Sequence, residues 1–170
     1  MRWNPAERYT VKLEGVELAG YRSVCVCGTR DPLLIGRLDD FVESVRGEVA
    51  TKAAAFGAMP DSYQLGIRIY GRDGMMGARE PLRDAVAHEL RFVLEVVSQQ
   101  SQEMASAVLG MARTNMLHTD FPGRLCHEGN MAFPFSPSDI EAGPVYRFSV
   151  YHVAELDDPL EPFGIQYEAV

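Results

Sequence analysis

The chain has 170 residues, of which 46% are hydrophobic and 24% are charged, and its formal net charge is −8. These proportions are ordinary for a globular protein, and the length predicts a single domain over residues 1–170 with a substantial core. The acidic balance argues against a nucleic-acid partner and against anionic membranes, because both select basic surfaces. It leaves the substrate class open.

The sequence also bears on the compartment. No apolar stretch is long enough for a secretory signal or a membrane-spanning helix. The three cysteines, Cys25, Cys27 and Cys126, are few and odd in number. We therefore expect a cytoplasmic protein whose thiols stay reduced.

The first third of the chain alternates strand and helix signals. Alternating apolar residues predict strands over Thr10–Glu17 and Tyr21–Gly28, with a turn at residues 18–20. Asp31 is a suitable N-cap and Pro32 a suitable first helical residue. Apolar residues at helical spacing then predict one helix that runs to about residue 55 and stops near Gly57.

The remaining elements are predicted in the same way. Tyr63–Gly71 alternates as a strand does, and Gln99–Leu117 has the apolar stripe of a helix. Arg91–Val97 suits a strand, but a helix through Val97 is its main competitor because a short apolar run does not decide by period alone. The chain closes with a strand over Pro144–Leu156.

Apart from the first strand, the predicted order is strand, helix, strand, strand, helix, strand. This is the split βαβ order of a ferredoxin-like sandwich. The prediction is an α+β fold of that kind with an extra N-terminal strand and a long ordered loop. Two helices would cover one face of an antiparallel sheet, and the other face would be open or covered by the loop, the tail or a partner chain.

The long loop is Gly129–Ile140. Pro134 and Pro137 exclude a helix and disfavour a central strand, yet the segment is apolar. We expect it to pack on the domain and to present fixed polar side chains to a cavity, namely Asn130, Ser136, Ser138 and Asp139. The structural alternative is an Ω-loop whose polar groups only cap the backbone.

Polar residues between the second helix and this loop suggest acid/base chemistry. His118 lies near the negative end of the helix dipole, which favours an imidazolium. With Arg124, His127 and Asp139 it can form a group that clamps a carboxylate and moves a proton. The alternative, favoured by spacing alone, is that His118 caps the helix and Arg124 pairs with a surface acid.

Other motifs carry weaker signals. Cys25-x-Cys27 has poor spacing for zinc and only Cys126-His127 to complete a site, so buried thiols are expected and no metal ligand is predicted. His88-Glu89 lacks the second histidine of a zinc-protease motif, and Glu89 is expected in solvent. Arg72-Asp73-Gly74 can line an anion through backbone N–H groups, but a flexible connection is the simpler interpretation.

Several motifs occur together from about residue 11 to residue 163. The longest is Gly129-Asn-Met-Ala-Phe-Pro-Phe-Ser-Pro-Ser-Asp-Ile140, and the others are Gly28-Thr-Arg-Asp-Pro32, Tyr70-Gly-Arg-Asp-Gly-Met-Met-Gly77, His88-Glu89, His118 to Gly123, and Asp157-Asp-Pro-Leu160. This set resembles the C-terminal part of the acyclic terpene utilisation A family (AtuA-like proteins).

Typical members of that family are longer and carry an N-terminal α/β domain that this chain lacks. The resemblance therefore implies a split-off small subunit, a larger AtuA-like partner that supplies the missing domain, and an active site shared between them. It also implies a substrate from branched acyl or terpenoid carboxylate catabolism, while the cofactor stays unspecified.

The leading hypothesis is the small subunit of a two-component enzyme that hydrates or dehydrates a carboxylate or acyl thioester. Arg30 or Arg124 would bind the carboxylate, and His118 or Asp139 would move the proton. Further candidates for orienting the substrate are Asn130, Ser136 and Ser138, and Asp31 lies in a matching motif. The rivals are a non-catalytic subunit that stabilises or regulates its partner and a stand-alone ligand-binding module.

Overall fold

The structure, a computed structural model, describes residues 4, 7–59, 61–126, 130–164 and 166–168. The chain divides into two compact units, one made of Met1–Leu18 with Tyr146–Val170 and the other of Ala19–Val145. In the described part, the helices and strands of the chain are β1 (Tyr9–Thr29), α1 (Pro32–Ile35), α2 (Leu38–Phe56), β2 (Tyr63–Tyr70), β3 (Leu90–Ser98), α3 (Gln102–His118) and β4 (Asp139–Leu156), with a 3-10 turn at Gly77–Arg79.

The strands form one sheet in the order β2-β3-β1-β4. Strand β3 is antiparallel to both of its neighbours, and Leu94 lies opposite Cys25 on one side and Ile67 on the other. A mixed α/β fold with a four-stranded antiparallel sheet and three helices is therefore confirmed.

The core of the unit Ala19–Val145 lies between one face of this sheet and the helices α2 and α3. Alternate residues of each strand point to the same side, as the pleat requires. The fully buried side chains include Cys25, Phe92, Leu94 and Val96 from the strands, Val45 and Val49 from α2, and Val108, Leu109 and Met116 from α3. These are the apolar stripes that the sequence predicts.

The two predicted N-terminal strands are one strand of 21 residues. The predicted turn at residues 18–20 is wrong, so the extra strand is the first half of β1. Gly20 has φ of +147°, and a Cβ there would lie 2.5 Å from the carbonyl oxygen of Ser98. Because residue 20 is a glycine, β1 can pass close to the end of β3 without turning. A glycine of this kind within a strand looks like a turn signal when only the sequence is read.

The predicted first helix is two helices. Asp31 caps α1 by accepting from the backbone N–H groups of Leu33 and Leu34, and Pro32 is its first residue, as predicted. The helix ends at Gly36, a poor helix former, and Arg37 has φ of −129°, outside the helical region. Helix α2 then ends where predicted, because Gly57 adopts the left-handed conformation.

The ambiguous segment is a strand, since β3 covers Leu90–Ser98. Helix α3 begins after Ser101, whose side chain accepts from the N–H of Met104. Strand β4 begins at Asp139 rather than at Pro144, so the last residues of the predicted loop are strand. Pro144 is compatible with this strand because β4 is an edge strand, which is where proline occurs within sheets.

The core predicts a clear stability contrast between two leucines. Leu109 is fully buried and Leu125 is 98% exposed. Leu109→Ala should lower the free energy of unfolding by about 2–5 kcal/mol, because it removes buried methyl groups and leaves a cavity. Leu125→Ala is the matched control and should change it by less than about 0.5 kcal/mol. Urea unfolding followed by circular dichroism measures both, and equal effects would contradict the described core.

Candidate functional site

A cleft of about 530 Å³ lies in the unit Ala19–Val145. It is bounded by the end of β1, the junction of α1 with α2, and the segment that precedes β3. Its walls combine apolar side chains with charged ones: Pro32, Ile35, Leu38, Val86, Ala87 and Leu90 on the apolar side, and Arg30, Arg37, Arg72, Arg83, His88, Asp39, Asp40 and Asp84 on the polar side.

The sheet register brings Arg30 and His88 together. Strands β1 and β3 pair as far as Thr29 opposite Leu90, so the residues just beyond this pair lie at the same end of the sheet. The Nη2 of Arg30 is 3.4 Å from the Nδ1 of His88. A guanidinium only donates, so Nδ1 accepts in this contact and the ring proton is assigned to Nε2.

The cleft holds two arginines that already have acidic partners. Arg72 binds both carboxylate oxygens of Asp39 at 2.8 and 2.6 Å. The hydrogen bond from Arg72 holds the pKa of Asp39 below its usual value, and the same bond raises the pKa of Arg72. Arg83 lies 3.3 Å from Asp73 and 3.9 Å from Asp39.

The other two arginines differ. In the part of the chain that the structure describes, neither Arg30 nor Arg37 has a carboxylate within 4.0 Å. Both are exposed at the cleft. An unpaired guanidinium is well suited to bind a planar anion such as a carboxylate through two parallel hydrogen bonds.

The segment Gly71–Gly77 contains a hydrogen-bonded turn. The carbonyl oxygen of Ile69 accepts from the N–H groups of Arg72, Asp73 and Gly74. A Cβ at Gly74 would lie 2.9 Å from that oxygen, so only glycine fits. The turn thereby fixes Arg72 against Asp39 at the wall of the cleft.

The described part of the predicted loop contacts the domain at both of its ends and is exposed between them, since Asp139 at the far end pairs with Arg113 of α3. Asn130 and Met131 are buried, and Ala132 pairs with Gly28 through two backbone hydrogen bonds of 2.9 and 2.8 Å. Residues 134–137 are exposed. No described residue of the loop is among those that line the cleft. The expectation that this loop lines a cavity is therefore not met at the cleft.

Arg124 holds the chain around the loop in place. Its guanidinium donates to the carbonyl oxygens of Leu117, Thr119 and Cys126, at 2.5, 2.6 and 2.8 Å, and to the Oδ1 of Asn130 at 3.1 Å. The Nδ2 of Asn130 is buried without a hydrogen-bond partner among the described residues. The contacts of Arg124 are those of a structural residue rather than of a carboxylate clamp.

Asp139 and Ser138 belong to a second polar group, beside α3. Asp139 pairs with the Nε of Arg113 at 2.9 Å and accepts from the hydroxyl of Ser138 at 3.0 Å. It also lies 3.7 Å from where a Cβ of Gly110 would be. His118 is eight residues beyond Gly110, or ~12 Å along the helix axis. The structure thus gives Asp139 a partner other than His118.

The other predicted site residues are also located. His118 is the exposed last residue of α3, and Ser136 is exposed before a cis bond to Pro137. His127 lies outside the described residues. Of the predicted substrate-binding residues, Arg30 alone lines the cleft.

Sequence reasoning did not group Arg30 with the other basic residues of the cleft, which are Arg37, Arg72, Arg83 and His88. The available signal was the pairing of Tyr21–Gly28 with Arg91–Val97, which would have placed Arg30 and His88 at one end of neighbouring strands. Arg37 gave no such signal. It lies at the break between α1 and α2, and the helical spacing of apolar residues does not show this break.

The cysteines are divided between the core and the surface. Cys25 and Cys27 are buried, and Cys126 is exposed. Burial raises the pKa of Cys27 to about 12. Burial, with a smaller effect from the Asp139 carboxylate, raises the pKa of Cys25 to about 11. Among the described residues, no three His, Cys, Asp or Glu side chains are grouped as a metal site would require.

The described helices are also too short or too polar to cross a bilayer. Comparisons of the chain with protein-family models, with curated proteins and with solved structures give no match.

The contacts of Arg124 predict a structural effect of its removal. Arg124→Met should lower the free energy of unfolding by about 2–4 kcal/mol, because it leaves partly buried carbonyl oxygens without donors. Arg79 is exposed, and Arg79→Met should change it by less than about 0.5 kcal/mol. Thermal unfolding of the two variants tests this, and a wild-type melting temperature for Arg124→Met would contradict the structural role.

The cysteine environments predict unequal thiol reactivity. With a pKa of about 11, Cys25 is thiolate in roughly one molecule in a thousand at pH 8. An aromatic disulfide reagent at pH 8 should therefore modify Cys126 rapidly in the folded protein and all the cysteines only in denaturant. Cys126→Ser should abolish the rapid phase, and rapid labelling that persists in this variant would show that the core thiols are accessible.

Proposed function

We propose that this chain is the small subunit of a two-component enzyme that hydrates or dehydrates a carboxylate or acyl thioester, and that its cleft binds the carboxylate end of the substrate. The observation that carries the proposal is that Arg30 and Arg37, which have no acidic partner among the described residues, line one cleft with apolar side chains, and that Arg30 contacts His88. The chain as a whole has a net charge of −8, whereas four arginines and three aspartates line this cleft.

The composition of the cleft favours an organic acid over a bare inorganic anion. The guanidinium groups of Arg30 and Arg37 supply donors for carboxylate oxygens. The adjacent apolar side chains, including Ile35, Leu38 and Val86, suit a hydrocarbon chain attached to that carboxylate. Arg72 and Arg83 are paired with Asp39 and Asp73, which limits the negative charge that the cleft can bind.

His88 is the group that we propose for proton transfer. Hydration and dehydration move a proton at the carbon next to the carbonyl, and an imidazole is suited to carry it. His88 is in contact with Arg30, so it lies next to the proposed carboxylate site. In this proposal Arg30 keeps its sequence-predicted role, and His88 replaces His118 and Asp139. Groups that complete the reaction would come from the larger, AtuA-like subunit.

We also propose that the fold is the ferredoxin-like sandwich. With α1 and α2 taken as one helical segment, the element order is strand, helix, strand, strand, helix, strand. The sheet order β2-β3-β1-β4 places the first and third strands at the centre, which supports this assignment.

One observation favours the second candidate, a non-catalytic subunit that stabilises its partner. Arg124, Asn130 and Asp139 make contacts within the chain that account for them structurally. If the cleft is also structural, its arginines can be replaced without loss of turnover, and the experiment below separates the two candidates.

Binding of a simple acid tests the cleft in the isolated chain. NMR titration with 3-methylbutanoate should shift the amide signals of residues around Arg30 and His88, whereas the neutral 3-methylbutanamide should not. Arg30→Gln should weaken carboxylate binding about 10- to 100-fold, since a hydrogen bond to a charged group is worth about 1.5–3 kcal/mol. Arg79→Gln is the matched control and should bind as the wild type does.

Turnover tests the two-component proposal. The chain should be reconstituted with the product of a neighbouring gene that carries an AtuA-like α/β domain, and kcat/KM should be measured on branched acyl substrates. Loss of kcat/KM in Arg30→Gln and Arg37→Gln with intact complex formation supports the proposal. Wild-type turnover in both variants would favour the structural subunit instead.

A further inference from the structure

One edge of β4 has no partner strand among the described residues, and it has the features of a self-association surface. We propose that residues 146–156 of β4 pair edge to edge, antiparallel, with the same residues of a second copy of this chain, about a two-fold axis at Tyr151. This inference concerns the unit Met1–Leu18 with Tyr146–Val170 and does not rest on the function proposed for the cleft.

Strand β4 is the last strand of the sheet and has β1 as its one neighbour in the described part of the chain. Within this unit the two strands run antiparallel, because Arg8 pairs with Glu155 and Glu17 pairs with Arg147. The other edge of β4 leaves backbone N–H and C=O groups available for pairing. Long edges of this kind associate unless something blocks them.

The usual blocking residues are missing from this segment. Proteins protect edge strands with lysine, proline or a short length. Pro144 and Pro159 flank residues 146–156, and neither proline nor lysine occurs between them. Strand β4 has 18 residues, so the edge is also long.

The segment is apolar and exposed to an unusual degree. Tyr146, Phe148 and Tyr151 are 60%, 66% and 69% exposed, and Val150 and Val153 are 44% and 57% exposed. At ~150–250 Å² for an aromatic side chain, these five residues expose roughly 500 Å² in each copy. A stable interface buries ~800 Å² per partner, so this surface is of the right order, with the main chain and flanking residues adding to it.

The charges of the segment select a self-complementary register. Its charged residues are Arg147 and Glu155, so it is neutral in a chain of net charge −8. A two-fold axis at Tyr151 places Arg147 opposite Glu155 of the second copy, and Glu155 opposite Arg147 of the second copy. This is the reciprocal pattern that an isologous interface requires.

The alternative registers are less favourable. Arg147 can also be set opposite Glu141 or Asp139, which puts the axis at Pro144 or Gly143. Proline has no N–H to donate at the centre of a ladder. The axis at Tyr151 keeps Pro144 outside the paired segment. It sets Tyr146 opposite Leu156, Phe148 opposite Ala154 and Tyr151 opposite itself.

The charge pair provides the decisive test. Light scattering on a sizing column should give the wild type a mass of twice 18.9 kDa at micromolar concentration. Arg147→Glu and Glu155→Arg should each raise the dissociation constant of the dimer at least tenfold, because like charges then lie opposite each other. The double variant should restore the dimer. Arg79→Glu is the control and should stay dimeric.

The double variant separates contacts between copies from contacts within one chain. In it, position 147 repels Glu17 and position 155 repels Arg8 of the same chain, so pairing within the chain becomes worse. Restored dimerisation would therefore report pairing between copies alone. A wild type that is monomeric and assembles only with a different polypeptide would overturn the proposal, as would a dimer that both single variants leave intact.

The axis itself is tested by cross-linking. Residues opposite each other in an antiparallel pair have Cα atoms ~4.5–5.5 Å apart, within the range of a disulfide. In a Cys126→Ser background, Tyr151→Cys should form a disulfide-linked dimer on mild oxidation. Val153→Cys should not, because it lies opposite position 149. Equal cross-linking of the two variants would exclude this register.

Discussion

The antiparallel register of β1 with β3 is the constraint on which the candidate site depends. It pairs Thr29 with Leu90 at one end of the sheet. Arg30 and His88 lie just beyond this pair, so they are side by side at the ends of the two strands. A shift of one residue would turn every core side chain of β3 to the other face of the sheet, so the register is fixed by the burial of Phe92, Leu94 and Val96. The contact between the guanidinium and the imidazole is therefore a consequence of core packing.

Pairing of charges explains why the cleft and the loop have different characters. Around the loop, Arg124 donates to main-chain oxygens, and beside α3 Arg113 binds Asp139, so both arginines are engaged by the chain itself. In the cleft, Arg72 and Arg83 have acids, whereas Arg30 and Arg37 have none among the described residues. A charge left without a partner is a group with bonding capacity to spare, and at Arg30 and Arg37, unlike at the exposed Arg79, it lies in a cleft with an apolar wall.

Local signals in the sequence predicted much of the fold because they act within a few residues. Asp31 caps the first helix, Pro32 is its first residue and Gly57 ends the second helix, each as its local chemistry predicts. The alternation in Arg91–Val97 corresponds to strand β3. Gly20 was misjudged because its role is set by a residue far along the chain, Ser98, which no local pattern shows. Long-range contacts of this kind are outside what periodicity can reveal.

The candidate site was predicted poorly for the same reason. Arg30 was identified, but its partners in the cleft come from three other segments that only the tertiary fold brings together. The apolar and proline-rich loop attracted the prediction because its composition is unusual. That composition is accounted for by packing, since Met131 is buried and Ala132 pairs with Gly28. An apolar composition identifies a segment that must be ordered. A segment that can bind a ligand is identified instead by polar side chains whose hydrogen-bonding groups have no partner within the chain. That property can be recognised only when every partner of each side chain is known.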